Sequence, residues 1–93
     1  HFKRRANLMF NGLNEIKGFS CQKPNGAFYC FPNITGTGKN STEIQNILLD
    51  NLGVATVSGT SFGEYGEGYI RLSCANSDFA IEEAISRIKD FFN

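Results

Sequence analysis

A chain of 93 residues fits one small domain, and a content of 41% hydrophobic and 13% aromatic residues, nine of them Phe, supplies a core and excludes a disordered tract. Nine basic and nine acidic residues cancel, which argues against a nucleic-acid or anionic-membrane partner. No run approaches the ~18 apolar residues of a membrane span, and the first residues lack the apolar stretch of a secretory signal; the cytoplasm is expected from the unpaired cysteines, which suit a reducing compartment.

Residues 3 to 16 place Ala6, Met9, Leu13 and Ile16 at the alternating three and four spacing of one helical face, and Gly18 is the expected stop. The pattern runs from the first residues with no capping group ahead of it, which predicts a helix cut rather than begun. Lys3-Arg4-Arg5 reads as the solvated side of that helix in preference to a phosphate-binding patch. Pro24-Asn25-Gly26 is a turn signal delivering Ala27-Phe28-Tyr29-Cys30-Phe31, read as a buried strand halted by Pro32. Gly36-Thr37-Gly38-Lys39 forms a polar loop. It differs from a phosphate loop because Asn33 stands where the earlier glycine belongs and Asn40 follows the lysine.

Asn40 or Ser41 caps a second helix, with Glu43 in its first turn, Ile44, Ile47, Leu48 and Leu52 on one face and Gly53 as its end. Val54-Ala55-Thr56-Val57 reads as a short strand, and Gly59 through Gly68 as a flexible loop whose glycines lack dinucleotide-binding spacing. Within it Glu64 and Glu67 read as solvated charges, not as an acid and base pair. Tyr69 to Cys74 alternates strictly: Ile70, Leu72 and Cys74 face one way, Tyr69, Arg71 and Ser73 the other. Ser77 or Asp78 caps a last helix with the stripe Ile81, Ala84, Ile85, Ile88 and Phe92. The order predicts an α+β domain: a small mixed, mostly antiparallel sheet of about three strands with helices over one face. The face bearing Tyr69, Arg71 and Ser73 is left to meet a ligand, another domain or another subunit.

His1 is the sole histidine and sits at the terminus, which removes Ser-His and Cys-His nucleophiles and metal-ligand clusters. Cys21, Cys30 and Cys74 show neither C-x-x-C spacing nor partner histidines, so they read as small buried hydrophobes of a reducing compartment, not as disulfides or zinc ligands. Arg71 stands apart. An arginine between Ile70 and Leu72 in a strand needs an anionic partner, and its planar fork suits a carboxylate. Pattern alone leaves two equal readings, an internal ion pair and the grip on a ligand carboxylate.

Pro24-Asn25-Gly26-Ala27-Phe28-Tyr29, Gly53-Val54-Ala55, Gly59-Thr60-Ser61-Phe62-Gly63 and Gly68-Tyr69-Ile70-Arg71-Leu72-Ser73, in this order and spacing, resemble the C-terminal small domain of class I/II aminotransferases that depend on pyridoxal phosphate, of the aspartate aminotransferase type. The resemblance covers nearly the whole chain. It implies residues 1–93 as that small domain, with residues 1–17 the tail of an interdomain helix. It further implies amino-group transfer between an L-amino acid, such as aspartate, and a 2-oxo acid, on pyridoxal 5'-phosphate as electron sink. Arg71 matches the family arginine that grips the substrate α-carboxylate, orienting the substrate and drawing the domain closed. The parent enzyme is implied to be a homodimer.

Two positions depart from the family: Ser58 where proline commonly precedes Gly59, and Cys74 where an aromatic commonly follows Arg-Leu-Ser. The family's catalytic lysine, the aspartate that pairs the cofactor and the phosphate cup all belong to a large domain preceding this segment. Lys3, Lys17, Lys23, Lys39 and Lys89 all lie outside the motif that carries that lysine. The chain is therefore expected to be a fragment, inert alone and without bound cofactor. Two other readings use the same residues: a free-standing amino-acid-binding module with Arg71 as anchor, and an assembly domain in which Arg71 pairs internally.

Overall fold

The apolar stripe of the first residues is buried, with Ala6, Met9, Leu13 and Ile16 all in the core. In a computed structural model describing residues 2–22 and 28–93, the helix α1 that carries it runs Phe2–Leu13. It ends earlier than periodicity suggests because the Asn14 carboxamide takes over. That side chain donates to Phe10 O and Cys21 O and accepts from the Cys21 N–H, so the chain turns back while Ile16 stays in the core.

The strand β1 is Tyr29–Cys30, the helix α2 Ser41–Leu52, the strand β2 Val57–Ser58, the strand β3 Ile70–Ser73 and the helix α3 Asp78–Phe92. The three strands form one sheet in the order β1-β3-β2, with both pairings antiparallel. Tyr29 lies opposite Ser73, Cys30 opposite Leu72, Val57 opposite Arg71 and Ser58 opposite Ile70. All three helices pack on the side of the sheet that presents Ile70 and Leu72, closing a core with Leu13, Ile16, Ile34, Ile44, Leu48, Ile81, Ile85 and Ile88. Truncating such a side chain to alanine costs about 2 to 5 kcal/mol. The expected α+β architecture is the observed one.

Helix α2 shows its sequence logic most directly. The Asn40 side chain accepts from Glu43 N–H while the Glu43 carboxylate accepts from Asn40 N–H, a reciprocal capping box. At the other end Gly53 adopts a left-handed conformation, φ 69°, that lets its N–H and that of Val54 reach back to the last helical carbonyls. This closure corrects the expected strand at 54–57: Val54 is spent on the cap, and pairing starts at Val57. Ser77 caps α3 by accepting from Ala80 N–H.

Two other expectations change. The described part of the aromatic run, residues 28–31, is not a buried strand. Tyr29 and Cys30 are the residues paired with β3, Phe28 O accepts from the Cys74 N–H just beyond them, and Cys30 is buried while Phe28, Tyr29 and Phe31 stay exposed. The turn at Pro24-Asn25-Gly26 and Ala27 lie outside the described residues, as does His1. Residues 59–68 are not a loose loop either. They form two 3₁₀ turns, Gly59–Phe62 and Glu64–Gly66, packed backbone to backbone where Gly59 meets Gly66. Among the described residues no helix is long and apolar enough to cross a membrane.

Candidate functional site

Alternation along β3 sends Ile70 and Leu72 into the core and leaves Tyr69, Arg71 and Ser73 on the opposite face, as the sequence predicts. Among the described residues no helix covers that face. Arg71 is half-buried there between two aromatic rings, its guanidinium carbon 4.4 Å from the Tyr29 centroid and 4.7 Å from that of Phe62. Tyr29 comes from the edge strand, diagonal to Arg71, and Phe62 from the first 3₁₀ turn after β2. Phe31 meets the Phe62 ring edge-on at 6.3 Å between centroids.

The ion-pair reading of Arg71 meets no support among the described residues, where the only salt bridges join Arg4 and Arg5 to Asp78, Arg87 to Glu83 and Lys89 to Glu15. The remaining residues, His1 and Lys23 to Ala27, carry no carboxylate side chain. A cation stacked on ring faces gains from their quadrupoles and keeps the edge of its fork open, where an anion can accept two parallel hydrogen bonds.

Among the described residues the strands around Arg71 hold aromatic and small polar side chains but no lysine or acid. Lys17 and Lys39 are exposed, and Lys89 lies on α3 with its Nζ 2.7 Å from Glu15 Oε1. Among the described residues no three His, Cys, Asp or Glu side chains are grouped to hold a metal. Two clefts, one between α1 and α3 and one bordered by Phe79, Asn76 and Arg87, are not lined by Arg71, whose face is open.

Glu64 is exposed, as expected, but Glu67 is more than a solvated charge. Its carboxylate accepts from Ser41 N–H at 2.9 Å, from Ser41 Oγ–H at 3.1 Å and from Gly68 N–H at 2.8 Å. The Ser41 backbone N–H, at the start of α2, is the main reason its carboxyl titrates below the usual range; burial opposes this, and the Gly68 N–H and the Ser41 hydroxyl assist. Glu67 thus ties the glycine-rich segment before β3 to α2. The two arginines of the basic cluster are likewise engaged: Arg4 pairs with Asp78, and Arg5 Nε lies 3.4 Å from its other oxygen. Chiefly through the Arg4 hydrogen bond, these arginines hold the Asp78 carboxyl below the usual carboxylate range.

Tyr29 and Phe62 were not singled out by the sequence. The period of two that gave Arg71 its face assigns Tyr29 to the same face once β1 is set against β3. Phe62 lies in an irregular segment and left no periodic signal.

A family model described as aminotransferase class I and II matches residues 1–88. The aspartate aminotransferase of Pyrococcus horikoshii is 40% identical over 95% of the chain and 22% of its own length. The aromatic-amino-acid aminotransferase 2 of Thermococcus litoralis is 42% identical over 95% of the chain and 22% of its own length. Among solved structures, alanine aminotransferase from Pyrococcus furiosus superposes with a TM-score of 0.92 at 41% identity, over 98% of the chain and 23% of that protein. The chain thus spans less than a quarter of the length of these relatives.

Proposed function

We propose, since the chain belongs to the class I and II aminotransferases, that it is the C-terminal small domain of such an enzyme and that Arg71 binds the α-carboxylate of the amino-acid substrate. The parent protein would transfer an amino group between an L-amino acid and a 2-oxo acid. One observation carries this reading: Arg71 stands on the open sheet face between the rings of Tyr29 and Phe62 without an acidic partner among the described residues. Its positive charge is stabilised by the rings and its donors are not taken up by an acid among the described residues, which leaves them for a carboxylate ligand.

Within this reading residues 1–93 form the small domain, with residues 1–17 as the tail of an interdomain helix. Pyridoxal 5'-phosphate belongs to the full-length enzyme. The described residues do not fit it, because the face that carries Arg71 offers neither a lysine amine nor a carboxylate. This chain's own part is to bind and orient: a two-point grip on the substrate carboxylate fixes the Cα relative to groups that the rest of the enzyme supplies. Several amino acids share that carboxylate, and the relatives carry aspartate, aromatic amino acid and alanine in their names. Aspartate is the substrate we propose for the parent, with the side-chain selection made outside this chain.

Kinetics of the full-length enzyme with Arg71→Ala test the assignment. A variant that retains cofactor absorbance but loses efficiency with every carboxylate substrate supports it, and wild-type kinetics overturn it.

A further inference from the structure

The core holds three thiols in a row, and none of them serves the Arg71 site. Cys30 Sγ lies 3.5 Å from Cys74 Sγ, and Cys74 Sγ lies 3.8 Å from Met9 Sδ. Cys21 stands beside Cys30, near enough to affect its titration, while its own S–H donates to Gln22 O at 3.4 Å. The backbone sets this row. Pairing of Cys30 with Leu72 makes Cys74 its diagonal neighbour, while the bridge between Ser20 and Asn33 brings the Cys21 segment alongside. Exposure falls along the row, 6% at Cys21, 1% at Cys30 and 0% at Cys74, so a reagent meets Cys21 first.

We propose that Cys30 and Cys74 are a site of reversible oxidation, closed to an intrachain disulfide by a hydroperoxide that enters at Cys21. A disulfide needs its sulfurs about 2.05 Å apart, so the pair must close by roughly 1.5 Å. Only side chains and the edge strand β1 have to move. Diagonal neighbours stand about 7 to 8 Å apart, beyond the usual disulfide span of about 4.4 to 6.8 Å, so β1 must shift toward β3 and the bond forms under strain and is readily reduced.

The thiols differ in acidity in the direction this route needs. The neighbouring Cys30 thiol is the main reason the Cys21 thiol titrates below its ordinary value; burial opposes this and the Phe31 backbone assists. The same contact, followed by burial, raises Cys30; burial raises Cys74. The Cys21 thiolate attacks the hydroperoxide ROOH, taking its terminal oxygen to become a sulfenic acid as ROH leaves. Cys30 displaces that hydroxyl as water, giving a bond between Cys21 and Cys30. Cys74 then attacks the Cys30 sulfur and Cys21 departs as the more stable thiolate. In sum two thiols and ROOH give one disulfide, ROH and water, and Cys21 is regenerated.

The test treats the full-length protein with hydrogen peroxide, blocks remaining thiols under denaturing conditions and maps the peptides by mass spectrometry. The expected product joins the Cys30 and Cys74 peptides with loss of two hydrogen atoms and is released by dithiothreitol. Cys21→Ser should form the same product at least about tenfold more slowly, since the reactive thiolate is gone. Cys74→Ser should form none, with Cys74→Ala serving where the core rejects the hydroxyl. Three freely alkylated thiols, a final cross-link that includes Cys21, Cys21 carried on to sulfinic acid without a cross-link, or an unchanged rate in Cys21→Ser would each overturn the proposal.

Discussion

The guanidinium carbon of Arg71 lies 4.4 Å above the ring centroid of Tyr29, its diagonal neighbour across β3 and β1. Phe62 closes the other side at 4.7 Å. The cation is held by ring faces, so its hydrogen-bonding edge is not spent on the protein. Each hydrogen bond to a charged group is worth about 1.5 to 3 kcal/mol, so losing a two-point grip in Arg71→Ala should cut kcat/KM by about a hundredfold to ten-thousandfold. Arg71→Lys keeps a point charge but no fork and should fall between. Steady-state kinetics of the full-length enzyme on several amino acids check this: the loss should be similar across side chains, because the carboxylate is common to all.

Removing either wall of the clamp should matter less than removing its cation. A cation over an aromatic face is worth about 0.5 to 2 kcal/mol, so Phe62→Ala and Tyr29→Ala should each weaken substrate use by about two- to thirtyfold. Tyr29→Phe keeps the ring and should stay near wild type. If Tyr29→Phe loses as much as Tyr29→Ala, the phenol oxygen, not the ring face, is what matters.

Periodicity carried most of the fold. The stripe Ala6, Met9, Leu13 and Ile16, the box of Asn40 and Glu43 and the alternation through Ile70, Arg71 and Leu72 are local signals, and each is realised. The misread segments are those where tertiary contacts decide. Val54 looks like the start of a strand until its N–H is seen closing α2, and Glu67 looks solvated until Ser41 arrives from a distant part of the chain. At the site, Arg71 and its face were legible, but the choice between ion pair and ligand grip depended on which side chains surround the guanidinium. Phe62 reaches it from a 3₁₀ turn held by the contact of Gly59 with Gly66, a packing that no spacing rule encodes.

Glu67 should give the domain an acid-labile anchor. Its carboxyl titrates lower in the folded chain than in the unfolded one, because three donors favour the anion. Its contribution is thus fully present above the unfolded value of about 4.3 and is lost as pH falls from there through the lower folded value. Glu67→Gln should flatten the pH dependence of unfolding below about pH 4.3 and lower stability at neutral pH. Urea unfolding of both proteins from pH 3 to 7 provides the comparison, and parallel curves would count against the anchor.

Ser58 offers the sharpest test of how this chain departs from its family, where proline is common at that position. Its backbone, φ −58° and ψ 137°, already matches the proline ring, so the substitution meets no torsional obstacle. Restricting the unfolded chain would by itself stabilise by about 0.4 to 1 kcal/mol. Against this stand the contacts proline cannot make. The Ser58 N–H donates to Gln45 Oε1, and the buried Ser58 hydroxyl lies 2.7 Å from Ser41 Oγ and 2.8 Å from Thr60 Oγ1. Ser41 is buried and Gln45 half-buried, and leaving a buried polar partner unsatisfied costs about 1 to 3 kcal/mol, so the losses outweigh the gain. Ser58→Pro should therefore destabilise the domain by about 1 to 3 kcal/mol. Adding Gln45→Leu and Ser41→Ala removes the orphaned groups, but Ser41→Ala also takes one donor from Glu67, so recovery should be partial. Thermal unfolding of the full-length protein, single and triple variants side by side, reads both effects. A stabilised single variant would show that chain stiffness, not this hydroxyl network, sets the energetics at the start of the 3₁₀ turn that carries Phe62.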